Sequence, residues 1–166
     1  MLQGLKIKSL RTLVDERGSF TEIFRSAWKD MFEDVIVQAN LSTTFPGIIR
    51  AWHKHERGQV DYFLILKGSA KICVYDEFNK ELEEIISTGK NLQIIRIPGH
   101  FWHGFKSIGN EPTYLLYFVN KYYDPNNPDE IRRPWNDLGI IPIKINGKTD
   151  DPRCGKSWDW LLPPHK

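Results

Sequence analysis

The chain has 166 residues, of which 23 are basic and 21 acidic, so its formal charge of +2 gives no reason to expect a nucleic-acid or membrane surface. Hydrophobic residues make up 40% of the sequence and aromatic residues 13%, which is typical of a globular domain and excludes a disordered chain. Two isolated cysteines, Cys73 and Cys154, exclude a disulfide-rich scaffold and indicate a reducing compartment. With no signal-peptide pattern and no apolar run near the roughly 20 residues of a membrane helix, we expect one cytoplasmic domain over residues 1–166.

Short strand-like segments separated by turn residues dominate the chain up to about residue 120. These segments are rich in β-branched and aromatic residues, and turn residues recur about every eight to twelve positions. This spacing favours an all-β sandwich or barrel over alternating strands and helices. The predicted strands cover residues 33–40, 60–66, 70–75, 84–87, 92–97, 104–106 and 114–120.

Two regions depart from the strand pattern. Residues 26–32 place Trp28, Met31 and Phe32 at helical spacing, which predicts one or two turns of peripheral helix. From about residue 124 the sequence is rich in proline and carries Trp158 and Trp160, which makes it too aromatic for a disordered tail. We therefore expect an irregular C-terminal segment that packs over the barrel or across a neighbouring subunit.

The densest group of chemically active residues lies between residues 47 and 68. His53 and His55 flank one residue, so on a strand both side chains point to the same face. Together with Asp61 and the later His103 they offer ligand types that suit a divalent metal. In the alternative interpretation, His55 faces solvent and the other two histidines are polar groups in a metal-free pocket.

The same region resembles the two sequence motifs of the cupins. Asp61 stands where the first motif has glutamate and comes one residue late, and His100 stands where the second motif has glycine. These departures favour a site without metal, while the cupin fold remains the expected architecture, a jelly-roll barrel or double-stranded β-helix. The residues that carry the likeness are Gly47, His53, His55, Asp61, Gly68, Pro98 and His103.

A closer likeness runs over residues 12–140 in four segments that occur in a matching order. They are Asp15 to Phe20 with Glu22; Gln38, Asn40 and Ser42 with Arg50 to His53; Pro98 to Phe105; and Tyr117 with Tyr122 to Pro125 and Trp135 to Asp137. In these segments the sequence resembles the dTDP-4-dehydrorhamnose 3,5-epimerase family of cupin sugar-nucleotide epimerases.

The resemblance implies a metal-free, cofactor-free homodimer of deoxysugar and polysaccharide biosynthesis that acts on a nucleoside-diphosphate 4-keto-6-deoxysugar. The 4-keto group acidifies the neighbouring C3 and C5 protons, and their removal needs a base with a pKa near the operating pH. His53 matches the family's base. Tyr117 matches the acid that returns a proton from the opposite face and so inverts the carbon.

The resemblance also implies the residues that bind the substrate. Arg50 would contact the diphosphate, because a guanidinium forks onto phosphate oxygens, and Gln38 and Asn40 would add polar contacts. His103 matches a pocket residue beside the enolate oxygen. The residues that would reach the nucleotide from the partner subunit are Arg17, Phe20 and Glu22.

Two departures from this family concern the same pocket. The family has a lysine where this chain has Asp61, and Lys106 or Arg57 could supply the missing positive charge. The family also orients its base with an aspartate in a C-terminal stretch that is absent here, which leaves Asp61, Asp150 or Asp151 as candidates. The tail over residues 148–166 matches no assigned part of the family.

Three other functions therefore stay open at this point. A 3,4-ketoisomerase of the same 4-keto-6-deoxyglucose nucleotides would carry a similar histidine-rich strand, although it should lack the tyrosine-rich region around residues 122–137. The remaining two are a metal-binding cupin and a non-catalytic sugar-binding module.

Overall fold

The computed structural model describes residues 1–162, which form two facing β-sheets and a separate two-stranded hairpin. The strands are β1 (Lys6–Ser9), β2 (Thr12–Asp15), β3 (Gly18–Thr21), β4 (Gln38–Thr44), β5 (Ile49–Lys54), β6 (Val60–Lys67), β7 (Ser69–Asp76), β8 (Glu81–Thr88), β9 (Gln93–Pro98), β10 (Trp102–Ile108), β11 (Thr113–Val119), β12 (Ile131–Arg132) and β13 (Lys144–Ile145).

The main core lies between the two sheets. One sheet has five strands in the order β1-β9-β6-β11-β4, and the other has six in the order β12-β5-β10-β7-β8-β13. Apolar side chains from both sheets, among them Phe63, Ile72, Ile95 and Leu115, meet in one buried cluster, because alternate residues of a strand point to the same face. The predicted all-β barrel is therefore confirmed.

Every predicted strand overlaps an observed strand, and the poorest agreement is over residues 33–40, where β4 begins only at Gln38. The preceding residues use their side chains to bridge other segments. Lys6 donates to Glu33 Oε1 at 2.5 Å, and the Tyr62 hydroxyl donates to Asp34 Oδ2 at 2.8 Å. These contacts hold the segment as an irregular connection, which an apolar pattern cannot distinguish from a strand.

The predicted peripheral helix is wrong: residues 1–162 contain strands and turns but no helix, and thus none long and apolar enough to cross a membrane. Residues 26–32 form successive turns with a single hydrogen bond of the α-helical i→i−4 type, from Phe32 N to Trp28 O at 2.7 Å. Met31 and Phe32 are nevertheless fully buried, and the Phe32 ring stacks 4.8 Å from Tyr62. Side-chain burial holds this segment in place, because a helix of one or two turns forms too few hydrogen bonds to offset the entropy cost of its nucleation.

The C-terminal segment packs over the outer face of the six-stranded sheet, which is the first of the two positions predicted for it. Trp160 is completely buried and its ring lies 4.8 Å from that of Trp52. Arg153 ties the segment to the sheet through Glu84 Oε2 at 2.9 Å. The end of the 148–166 tail, beyond residue 162, lies outside the described residues.

Candidate active site

A cavity of about 840 Å³ opens between the inner faces of the two sheets, a volume within the range of small-ligand sites. The six-stranded sheet lines it with β5 and β10, the five-stranded sheet with β4, β6 and β11, and the segment over residues 121–133 completes the lining. The predicted site residues that it brings together are Gln38, Asn40, Arg50, His53, Asp61, His103 and Tyr117.

An irregularity between β5 and β10 shapes one wall of this cavity. His103 pairs with His53 whereas Phe105 pairs with Arg50, so β5 uses one residue more than β10 over this stretch. The extra residue lets Arg50 and His53 both line the cavity. Gly104 lies here, and a Cβ atom on it would come within 2.4 Å of the Ala51 Cβ. Glycine is therefore required for the close approach of the two strands.

His53 lies in the cavity wall, where its side chain is partly buried and 28% exposed. Burial lowers the pKa of His53 to about 4, the charges of His103 and Arg132 act in the same direction, and the Glu130 carboxylate opposes them. The imidazole is therefore uncharged at neutral pH and has a lone pair that can accept a proton. The resemblance implies a base with a pKa near the operating pH, but burial places the pKa of His53 below that pH.

Glu130 is the carboxylate that faces His53, and sequence reasoning missed it. Its Oε1 atom lies 3.5 Å from His53 Nε2, and Arg132 holds it with two hydrogen bonds of 3.0 Å. Burial would raise the pKa of Glu130, but the hydrogen bond from Arg132 and the neighbouring histidine charge lower it. The alternation of Glu130, Ile131 and Arg132, with one apolar residue between two charged ones, was the only local signal for this short strand.

Asp61 is fully enclosed and binds two other histidines of the cavity. Its Oδ2 atom lies 3.0 Å from His103 Nε2 and 3.4 Å from His55 Nε2, and Gln59 donates to Oδ1 at 2.8 Å. Burial would raise the pKa of Asp61, but the hydrogen bonds and charges of the two histidines outweigh it and lower the pKa. The negative charge that replaces the expected lysine is therefore balanced inside the cavity.

His55 is buried, so the interpretation in which it faces solvent is wrong. Its Nδ1 contacts the backbone carbonyl oxygen of Asp129. Burial lowers the pKa of His55, but the hydrogen bond to Asp61 and its negative charge raise it, with a raised pKa as the net result.

The group of His55, Asp61 and His103 has the donor types of a metal site. Its ligand atoms all lie within 4.8 Å of one another, and imidazole and carboxylate donors suit zinc and similar cations. In the present arrangement each imidazole nitrogen that faces Asp61 is placed to donate a proton to it. Metal binding would therefore require these protons to leave.

Tyr117 faces the cavity from β11, on the sheet opposite to His53. A chain of ring contacts links them: Phe63 is 5.9 Å from Tyr117 by ring centroids, and His103 is 6.1 Å from Phe63 and 6.2 Å from His53. Burial raises the pKa of Tyr117, and the negative charges of Asp61 and Glu130 add to this effect. The phenol therefore keeps its proton and can donate it.

Polar and cationic groups surround the rest of the cavity. Gln38 donates to Asn40 Oδ1 at 2.8 Å. Of the two candidates for the missing lysine charge, Arg57 lines the cavity, whereas Lys106 lies outside the lining and donates to the Trp160 carbonyl at 3.4 Å. The lining also includes residues to which the sequence assigned no role in the site, namely Lys121, Arg132 and Arg133, together with Tyr122 and Tyr123 of the tyrosine-rich region.

The three residues expected to reach the nucleotide of the partner subunit do not line the cavity of their own chain. Arg17 lies in the β2–β3 turn and pairs with Asp15 at 2.6 Å. Glu22, just after β3, pairs with Arg25 at 2.7 Å. Phe20 is 66% exposed on β3.

The barrel and its cavity have the fold of the cupin sugar-nucleotide epimerases. The chain aligns with the crystal structure of dTDP-6-deoxy-D-glucose-3,5-epimerase RmlC from Legionella pneumophila in complex with dTDP-4-keto-L-rhamnose, with a TM-score of 0.74. The alignment covers 89% of this chain and 86% of that chain at 23% identity. The fold predicted from the sequence resemblance is therefore confirmed.

The chain belongs to the polysaccharide biosynthesis C-terminal domain family, whose model matches residues 13–131. It is 39% identical to the probable low-salt glycan biosynthesis epimerase Agl13 of Haloferax volcanii, over 81% of this chain and 89% of that protein. It is also 34% identical to the spore coat polysaccharide biosynthesis protein SpsL of Bacillus subtilis, over 84% of this chain and 94% of that protein.

Proposed function

We propose that this protein is an isomerase that epimerises a nucleoside-diphosphate 4-keto-6-deoxysugar, next to the ketone and without a cofactor. The observation that carries the proposal is the placement of His53 and Tyr117 in one cavity on opposite sheets. Inversion at carbon needs a base and an acid on opposite faces of the sugar ring. The epimerase named among the relatives supports the same reaction class.

The reaction begins when His53 removes a proton from the carbon beside the ketone. The electrons of the C–H bond pass into an enolate, and His53 becomes an imidazolium that faces the Glu130 carboxylate. The Tyr117 hydroxyl then donates its proton to the opposite face of the same carbon, which inverts it. Before the next turnover the imidazolium loses the abstracted proton to water and the phenolate takes up a proton from water.

His103 lines the same cavity, with its ring centroid 6.2 Å from that of His53. Its ring nitrogens contact the Asp61 carboxylate and the Phe101 carbonyl, both at 3.0 Å. Because both nitrogens already face acceptors, His103 would act on the enolate oxygen through its charge when protonated and not through a free N–H.

The nucleotide part would occupy the polar region of the same cavity. Arg50 would fork onto the diphosphate, and Gln38 and Asn40 would contact the nucleotide. The cationic residues Arg57 and Arg132 add positive potential along the lining.

The hairpin formed by β2 and β3 supports a homodimer in which each chain completes the cavity of the other. Its strands pair with each other and join neither large sheet, and Leu13, Val14 and Phe20 are exposed on it. Arg17, Phe20 and Glu22 would then reach the partner's nucleotide. Co-expression of His53→Ala with Arg17→Ala should restore activity, since one of the two mixed sites has both residues intact; no rescue would contradict shared sites.

A cytoplasmic location also belongs to the proposal. Cys73 and Cys154 are both free thiols, which suits a reducing compartment. Detection of the protein in the membrane-free soluble fraction of its native cells would agree with this location, and recovery from the culture medium would contradict it.

Deuterium exchange tests the proposed reaction directly. The protein is mixed with dTDP- and UDP-linked 4-keto-6-deoxysugars in deuterated water, and the products are followed by NMR. Deuterium at C3 or C5 together with inversion is the expected result. A 3-keto product would identify a ketoisomerase, and the absence of exchange with every substrate would indicate a binding protein.

A metal-binding cupin is the second candidate function, and the group of His55, Asp61 and His103 favours it. Metal analysis of the purified protein, with and without prior chelation, separates the two candidates. A stoichiometric metal whose removal abolishes exchange would replace the metal-free reaction.

A further inference from the structure

The segment before β12 is held against the turn after β5 by several hydrogen bonds, most of which involve Asp129. Both carboxylate oxygens of Asp129 accept hydrogen bonds from the backbone, at 3.0 Å from Glu56 N and at 3.1 and 3.0 Å from Arg57 N. The Asp129 carbonyl contacts His55, and Arg57 donates to the Asn127 carbonyl at 2.7 Å. The residue before Glu130 is therefore held in place from several directions.

The residues after Glu130 are fixed as well. Ile131 and Arg132 form β12, in which Arg132 stands directly opposite His53 of β5. The Arg132 guanidinium forks onto both oxygens of the Glu130 carboxylate. Such bidentate pairing orients a carboxylate as well as holding its charge.

We propose that Glu130 is the positioning residue of His53. It keeps the proton of the imidazole on Nε2 and leaves the lone pair on Nδ1. The inference rests on the proposed function, in which His53 is the base. The 3.5 Å between Glu130 Oε1 and His53 Nε2 exceeds a hydrogen bond by about 0.5 Å. Catalytic hydrogen bonds are often long in a site without substrate and shorten in the complex.

The other candidate carboxylates are committed elsewhere. Asp61 binds His103 and His55, and Asp151 binds Arg153 at 2.8 Å. Asp150 and Asp151 do not belong to the described lining of the cavity. Glu130 is thus the carboxylate of the described lining whose oxygen contacts His53.

The position of Glu130 gives it two effects on the base. An acceptor at Nε2 selects one tautomer of the neutral ring and restricts its rotation, as a carboxylate does for histidines in other active sites. After proton abstraction, the same carboxylate faces the imidazolium and stabilises it. Both effects act on the reaction step and leave substrate affinity nearly unchanged.

The test compares Glu130→Gln and Glu130→Asp with Glu111→Gln, a matched removal of an exposed carboxylate in the β10–β11 turn. Exchange kinetics in deuterated water should show kcat lowered about 10- to 100-fold for Glu130→Gln, the range for loss of a group that orients a histidine. KM should change less than about threefold, Glu130→Asp should recover part of the rate, and Glu111→Gln should behave as wild type. Thermal unfolding should be the same for all variants.

Nitrogen-15 NMR of the histidine rings reports the tautomer of His53 without substrate, with His53→Ala used to assign the signals. Wild type should show the proton on Nε2, and Glu130→Gln should show a mixture. An unchanged tautomer or an unchanged kcat would overturn the inference, and so would a lowered kcat that merely follows lost stability. Failure of wild type to exchange any 4-ketosugar would instead refute the proposed function, and the tautomer would still decide the role of Glu130.

Discussion

The two faces of the six-stranded sheet differ in the residues that two similar strand segments place on them. In β5 Trp52 is followed by His53, and in β10 Trp102 is followed by His103. Both tryptophans join the buried cluster under the C-terminal segment, whereas both histidines line the cavity. Strand alternation separates each pair, and what lies above each face decides whether a polar ring is tolerated there.

The outer face is covered mainly by aromatic side chains, beside a buried ion-pair group of Lys71, Glu84 and Arg153, whereas the inner face lines a polar cavity. Trp52 and Trp160 are completely buried, and aromatic burial of this kind is a large stabilising contribution. On the inner face, the buried Asp61 and His103 must satisfy each other, because an unpaired buried charge is costly. We therefore expect substitutions outside to affect unfolding and substitutions of His53 and Tyr117 inside to affect the reaction, while loss of the buried Asp61 carboxylate should also affect unfolding.

The largest effect should come from His53→Ala. Loss of the base should lower deuterium exchange and epimerisation by about 10²–10⁴-fold, the usual contribution of general base catalysis. The thermal unfolding temperature should stay close to that of wild type, because the ring faces a cavity. Exchange at the wild-type rate would remove His53 from the mechanism.

Tyr117→Phe should separate exchange from inversion. The base can still remove and return a proton on its own face, so deuterium should enter with the configuration retained, while the epimerised product falls by about 10²-fold or more. NMR of the recovered sugar nucleotide measures both outcomes. Tyr114→Phe, on the same strand but outside the cavity lining, is the control; inversion by Tyr117→Phe at the normal rate would exclude the phenol as the acid.

Trp160→Ala tests the outer face. Removing this ring should lower the free energy of unfolding by about 3–5 kcal/mol, as for other large core truncations, and urea denaturation measures it. Trp135→Ala is the control, since Trp135 is 44% exposed and should lose far less. Equal losses in the two variants would show that the C-terminal segment does not stabilise the barrel.

Asp61→Asn should destabilise the protein in a pH-dependent way. The pKa of Asp61 is lower in the folded state than its ordinary value, so its carboxylate contributes stability above about pH 4 that is lost as the pH falls toward the lowered pKa. The difference in unfolding free energy between wild type and Asp61→Asn should therefore be largest near neutral pH and shrink in acid. A difference that grows as the pH falls would contradict the assigned ionisation.

The smallest predicted effect is a displaced acid limb in the pH profile. Because kcat/KM reports the free enzyme and the pKa of His53 is lowered to about 4, kcat/KM should stay level as the pH falls through 6.5. It should decline only near pH 4, where the base becomes protonated. A decline centred at 6.5 would show that the cavity is more hydrated than its burial indicates.

Local pattern in the sequence was enough to predict most of this molecule. The strands follow from alternation and turn residues, and the pairing of His53 with His55 on one face follows from a two-residue period. The resemblance to sugar-nucleotide epimerases added Tyr117 and Arg50 to the pocket, and both line the cavity. The roles assigned to them stay predictions until the variants are measured.

Only the tertiary structure decided which charged groups meet. Glu130 reaches His53 through the pairing of β12 with β5, and Asp61 turns to His103 and His55. The Glu130 contact leaves no trace in local sequence, because it joins segments far apart in the chain. The motif had grouped Asp61 with the histidines, but it could not show which of them Asp61 binds. In residues 26–32 the helical spacing correctly indicates the burial of Met31 and Phe32 but not the backbone conformation. Periodicity in the sequence shows which side chains are buried, whereas long-range packing decides the backbone conformation and the residues they contact.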